Sequence, residues 1–128
     1  MSAAESEVVT LVNQQRAAND LGALTVNASL ANMARVKSQD MITNNYFAHQ
    51  SPTYGSPFDM MKQFGISFTA AGENIAYGQP TAQSVMDAWM NSPGHRANIL
   101  NSSYTQIGVG AVKNSNGTIY WTQEFIHP

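Results

Sequence analysis

Apolar positions along this chain change period twice, and each change marks an element. Between Ala4 and Asp20, Val8, Leu11 and Val12 recur at helical spacing behind Glu5 and Glu7, and Leu21-Gly22 supplies a stop. This predicts an amphipathic helix with its acids at the positive N-terminal end. A second helix is predicted from Asn27, as cap, toward Asn44, with Leu30, Met33, Ala34 and Met41 on its apolar face and Arg35, Lys37 and Asp40 elsewhere. Pro57 opens a short helix to Phe64 that Gly65 ends.

"AAGENIAYG" has no helical period and is bracketed by glycines, which predicts a short strand or an extended, ligand-presenting loop. Thr81 caps "AQSVMDAWMN", where Val85, Ala88 and Trp89 form the apolar stripe, and Ser92-Pro93-Gly94 halts that helix before His95. Trp89 should then be buried against the second helix or a sheet, and Trp121 should also be core. The period then becomes two. "QIGVGAVK" and "TIYWTQEFI" flank "NSNG", a hairpin signal, and His127 falls in a two-residue frayed tail. Helices followed by a hairpin do not make a βαβ pattern, so the fold class is α+β, an antiparallel sheet covered by helices in three layers. There is no linker, repeat or low-complexity tract, and residues 1–128 read as one domain.

Composition narrows the function classes. Charged residues are 11% of the chain against roughly 25% in an average soluble protein. Asn, Gln, Ser and Thr take their place, a surface that suits an extracellular protein. The net charge is −2 and the six basic residues are scattered, so there is no nucleic-acid footprint. No apolar run approaches the roughly 20 residues of a membrane span. The start, Met-Ser-Ala-Ala-Glu, lacks the regions of a signal peptide, so a secreted protein would be represented here by its mature part. Without cysteine there is neither a disulfide framework nor a thiolate metal site.

Three residues in glycine- or proline-bounded junctions carry the candidate chemistry: His49 in "FAHQSP", Glu73 in "GENI" and His95 in "PGHR". Two imidazoles and a carboxylate suit a divalent transition metal, zinc above all, with a position left for water. Their spacing matches no local ligand motif, and loop histidines that only hydrogen-bond are the competing reading. Asn98 and Arg96 are the nearest polar groups that could fix the His95 ring. No serine sits in a strained strand-to-helix elbow; Ser51 and Ser92 read as turn and helix-end residues, and "IGVG" is strand rather than a phosphate loop.

Taken together, "YFAHQSP", "GENIAYG", "AWMNSPGHRANIL", "IGVGAV" and "YWTQEF", in this order across nearly the whole chain, resemble the bacterial branch of the CAP superfamily of cysteine-rich secretory, antigen five and pathogenesis-related proteins. The resemblance implies an α-β-α sandwich with a central antiparallel sheet, an extracellular location, and a cleft lined by His49, Glu73 and His95. It also implies zinc or another divalent cation held by these three. Two imidazoles and one carboxylate are expected to bind it more weakly than a closed structural site, with Asn98, near His95, lining the cleft beside them. Many eukaryotic members add a cleft glutamate near the place of Ser92, where this chain has no acid. Glu124 could supply a carboxylate from the last strand, but reads first as a solvated strand residue.

CAP domains are associated with sterol or lipid binding, protein interaction, defence and proteolysis. The reading favoured is a monomeric extracellular module that binds a small molecule, lipid or protein. A metal-dependent hydrolase with Glu73 as base is the alternative, and a purely structural domain is a third.

Overall fold

A computed structural model describes residues 1–128. Its elements are α1 (Ala3–Ala18), β1 (Thr25–Val26), α2 (Ala28–Thr43), α3 (Pro57–Gln63), β2 (Ala70–Tyr77), α4 (Ala82–Met90), α5 (Pro93–Ile99), β3 (Gln106–Lys113) and β4 (Ile119–His127). The caps follow the sequence. Ser2 and Glu5 close a capping box on α1, Asn27 accepts from the Leu30 N–H at the start of α2, and Ser56 with Asp59 does for α3 what Ser2 does for α1.

The sheet order is β1-β3-β4-β2. β2, β4 and β3 are antiparallel, and β1 adds two residues in parallel to β3, which makes the sheet mixed. Because side chains alternate across a strand, register sorts the core into two layers. One face contributes Ala76, Ile107, Val109, Trp121 and Phe125 to a core shared with Val8 and Val12 of α1, Val85 and Trp89 of α4, and Ile99 of α5. The other contributes Ile126 to a smaller core with Leu30 and Met33 of α2 and Met60 and Met61 of α3. The α+β class and three-layer arrangement are as the sequence predicts.

Several local expectations are corrected. Ala88 is exposed, and the buried stripe of α4 is Ala82, Val85, Met86 and Trp89. Trp89 is buried as expected, and of its two expected partners it is the sheet, together with α1, that it packs toward, since α2 lies on the opposite face. Its indole N–H donates to the Ile75 carbonyl at 3.3 Å. His127 is not a frayed tail: it pairs with Ala70, and its carbonyl accepts from the Thr69 N–H at 2.7 Å. Lys37 and Asp40 of α2, placed by the sequence away from the apolar face, are both buried.

Their burial has a backbone cause. A Cβ at Gly108 would stand 2.3 Å from the carbonyl carbon of Leu30, and one at Gly110 would stand 2.3 Å from the backbone nitrogen of Arg35. The alternating glycines of "IGVG" let α2 lie with its backbone against β3, drawing in even its polar side chains.

Two stability predictions follow. Trp89→Ala, at a side chain 1% exposed, should lower unfolding free energy by about 3–5 kcal/mol in denaturant melts. Gly110→Ala should cost at least the roughly 1–3 kcal/mol typical of overpacking, because rigid backbone faces it. Gly22→Ala, where nothing lies within 4 Å, is the control and should be neutral; equal effects at Gly110 and Gly22 would refute the close-approach account.

Candidate functional site

His49 reaches its position through a loop clamped onto α2. The helix stops at the Asn44 cap, and Asn45 takes a left-handed turn (φ 52°), which asparagine tolerates. Asp40 then accepts from four side chains: Tyr46 Oη, Ser51 Oγ at 2.7 Å, Thr53 Oγ1 at 3.3 Å and Asn44 Nδ2 at 2.6 Å. Burial works against its charge, but these donors prevail and hold its pKa below the ordinary carboxylate value. Ser51 Oγ in turn accepts the N–H groups of Thr53 and Tyr54, the turn role its sequence suggests.

Lys37 completes the clamp from below. It is 1% exposed, its Nζ donates to the His49 carbonyl at 2.9 Å and to Tyr46 Oη at 3.2 Å, and it lies over the Tyr46 ring. Burial lowers its pKa, with Glu73, Glu124 and Asp40 pulling the other way. The His49 backbone is thereby tied to α2, while its side chain remains half exposed.

Glu73 comes from β2, resolving the strand-or-loop alternative in favour of strand. Gly72 precedes it because Tyr104 and Asn98 crowd that spot; a Cβ there would meet the Tyr104 hydroxyl at 2.5 Å. Glu73 is 6% exposed, and its Oε1 lies 2.8 Å from His49 Nδ1. Directly opposite on β4 is Glu124, fully buried at 0% exposure, which overturns its reading as a solvated residue. Strand alternation puts Glu124, Glu73 and Gly108 on the face toward α2, so β4's acid points inward where its neighbours Gln123 and Phe125 face the other core. Burial, then the Glu73 charge beside it, raises the Glu124 pKa well above the ordinary glutamate value, and Lys37 opposes this only in part.

His95 is not in a junction after a halted helix. It sits on α5, a separate seven-residue helix with Pro93 in its first turn. Its carbonyl accepts from Asn74 Nδ2 at 3.0 Å, and Asn98 donates to the Glu73 carbonyl and to Asn74 Oδ1. Asn98 thus fixes β2 to α5 rather than holding the His95 ring, and the exposed Arg96 makes no side-chain hydrogen bond. No protein group bonds the His95 imidazole. Burial, then the nearby His49 charge, lowers its pKa, so it is neutral at neutral pH.

Beside His95 opens a cavity of about 270 Å³ walled by Phe47, Ile75, Tyr77 and Trp89, with Gln79 and Ser92 among its polar groups. Tyr77 stacks on Tyr120 at 5.3 Å and meets Phe47 edge-on at 4.7 Å. Sequence periodicity gave no reason to place Phe47 or Tyr77 there, since their alignment depends on how the His49 loop lies over the end of β2.

The donor set fits an ion only in part. Glu73 spends one oxygen on His49 and buries the other, and no three His, Asp or Glu side chains gather at one point. What remains for a metal is His49 Nε2 and the unbonded His95 ring, two nitrogen donors with solvent to complete the shell. A carboxylate on Nδ1 with Nε2 free is the usual orientation of a metal-binding histidine.

Comparison with known proteins places these features in a family. The Bacillus subtilis protein YkwD is 59% identical over 98% of this chain, which corresponds to 48% of YkwD. The Bacillus subtilis membrane protein YlbC is 39% identical over 95% of this chain and 34% of its own length. An extracellular protein containing an SCP domain from Bacillus anthracis has a crystal structure that matches with a TM-score of 0.91 and 35% identity, over 97% of this chain and 40% of that one. The chain spans about half, or less, of each of these relatives. No helix here is long and apolar enough to cross a membrane. The cysteine-rich secretory protein family model, CAP, matches residues 9–125, and the chain belongs to that family.

Proposed function

We propose that this domain is an extracellular, monomeric binding module whose ligand enters the cavity beside His95 and meets the His49–Glu73 pair at its rim. The observation that carries this is the preformed cavity of about 270 Å³, apolar on its walls, with His95 at its edge. Phe47 and Tyr77 are 45% and 50% exposed, so apolar surface is already held open to solvent there. Such a site suits a small molecule, an acyl chain or an apolar side chain of a protein partner. The extracellular SCP-domain relative supports the location.

Zinc or another divalent cation would bind here through His49 and His95, held more weakly than in a closed four-ligand site. When bound it would supply a positive charge at the rim of the cavity. The hydrolase alternative is less well supported. A general base must face the water it activates, and here Glu73 faces His49 with one oxygen and the protein interior with the other.

Calorimetric titration with zinc tests the metal-capable cleft. Heat is expected at about pH 7.5 and should be lost near pH 5, across the ordinary imidazole pKa of about 6.5, because a protonated ring cannot ligate. The lowered pKa of His95 works toward binding at neutral pH, since its ring is already neutral there. Equal binding at both values, or binding kept by the His49→Ala, His95→Ala double variant, would place the ion elsewhere. A peptide and ester screen with zinc present should show no turnover that the double variant lacks; turnover confined to the wild type would favour the hydrolase.

A further inference from the structure

The turn between β3 and β4 holds a reactive pair of neighbours that the cleft does not use. Of the asparagines in the chain, Asn116 is the one followed by glycine. Both residues are exposed, and a Cβ built on Gly117 would meet nothing within 4 Å. Gly117 has φ 80°, the left-handed position that closes such a turn, and its N–H donates to the Asn114 carbonyl at 3.0 Å. Asn114 organises the rest. Its Oδ1 accepts the N–H groups of Asn116 and Thr118, each at 2.9 Å, and its own N–H donates to the Thr118 carbonyl at 2.9 Å. The side-chain amide of Asn116 is left without a hydrogen-bond partner.

The other asparagines that precede a small residue are less free. Asn101 and Asn114 each have Oδ1 engaged by a backbone N–H two residues ahead. Asn91 precedes Ser92, whose Cβ crowds the nitrogen that would have to attack, whereas Gly117 has none. The Gly117 N–H must first leave the Asn114 carbonyl, and one exposed hydrogen bond resists this weakly because water replaces it. Attack within the chain is then helped by proximity, since nucleophile and carboxamide belong to adjacent residues.

We propose that Asn116–Gly117 is a site of self-modification, at which the asparagine is converted through a cyclic imide into aspartate and isoaspartate. The Gly117 nitrogen loses its proton to hydroxide and attacks Asn116 Cγ. The new N–Cγ bond closes a five-membered ring, the Cγ–Nδ2 bond breaks, and Nδ2 takes up a proton and departs as ammonia. Water then adds to one of the two ring carbonyls and breaks its bond to nitrogen. Opening at Cγ leaves aspartate. Opening at the main-chain carbonyl leaves isoaspartate, with the chain now running through Cγ. In both, an amide becomes a carboxylate, and the net charge becomes one unit more negative than −2. Isoaspartate also adds a methylene to the main chain inside the turn, which pulls Gly117 and Thr118 away from Asn114. The first rungs beyond, Lys113 with Ile119 and Val112 with Tyr120, lose the turn that closes them.

The folded domain should be kept at mildly alkaline pH, sampled over days and digested with trypsin, which cuts after Lys113 and releases residues 114–128. Fragment-resolved mass spectrometry is expected to show the amide-to-acid mass gain at Asn116 before any other asparagine, with Asn114 of the same peptide unchanged and both isomers present. An intact Asn116, or earlier conversion elsewhere, would overturn the assignment; aspartate without isoaspartate would overturn the imide route. Asn116→Gln keeps the amide but disfavours ring closure, and should lose the gain; an undiminished rate there would also refute the site. Asn116→Asp has the new charge without the extra methylene. Backbone amides of Asn114 and Thr118 should exchange with solvent faster in the isoaspartate fraction than in Asn116→Asp, and equal exchange would overturn the account of the lengthened turn.

Discussion

The contact on which the rest of this structure depends is that of the α2 backbone with β3 at Gly108 and Gly110. Helices ordinarily stand about 10 Å from a sheet because side chains fill the space between. Here no side chain intervenes, and α2 is lowered until its peptide groups touch the strand. Ser38 then reaches the Gly110 carbonyl at 3.1 Å and Thr122 Oγ1 at 2.8 Å. Lys37 and Asp40 go in with it, at positions a solvent-facing helix would keep wet. Buried polar groups need partners, and the partners that Lys37 and Asp40 find belong mainly to the loop that follows. The same close approach that seats the helix thus also shapes the loop that carries His49.

A chain without disulfides must tie its layers together by other means, and buried side chains with several acceptors or donors do so here. Arg16 of α1 donates to the carbonyls of Gly22, Ile99, Asn101 and Tyr104, fixing the helix to the segment after α5. Glu5 joins α1 to both other layers, through Arg35 of α2 and the Ala111 N–H of β3. The free edge of β2 is closed in the same manner: the Glu73 carbonyl takes Asn98 and the Ile75 carbonyl takes the Trp89 indole. An unpaired strand edge invites pairing with other chains, and these two side chains occupy it. They also bring α4 and α5 against β2, which is how His95 arrives beside an edge that His49 approaches from the opposite face of the sheet.

The site therefore sits where two differently built halves meet. On the α2 side it is polar and buried, with Lys37, Glu73 and Asp40 held by hydrogen bonds and Glu124 buried opposite Glu73. On the α4–α5 side it is apolar and open, with Trp89 beneath and Phe47 and Tyr77 at the lip. A neutral His95 and a His49 bound to a carboxylate stand between them. The arrangement combines apolar walls for binding with two imidazoles at the rim, one of them held by Glu73, which is the chemical content of the proposed function.

By itself the sequence determined the first four helices, the final hairpin, the α+β class and the family. Those follow from local caps, turn residues and periodicity, or from motifs in fixed order, and neighbours in the chain suffice to specify them. It also singled out His49, Glu73 and His95, because loop and junction positions next to glycine and proline stand out without knowledge of the fold. What only the tertiary structure decided was everything that depends on pairing between distant strands or on the height of a helix above a sheet. Glu124 was illegible because a strand residue's face is fixed by register, and the register that sets it opposite Glu73 joins segments far apart in the chain. Lys37 and Asp40 were misread for a related reason: helical periodicity assumes that polar side chains stay in water, and two glycines on another strand removed that assumption. The role of Asn98, the short helix α5 that carries His95 and the aromatic lip of the cavity belong to the same class, each set by contacts whose free energy no single segment contains.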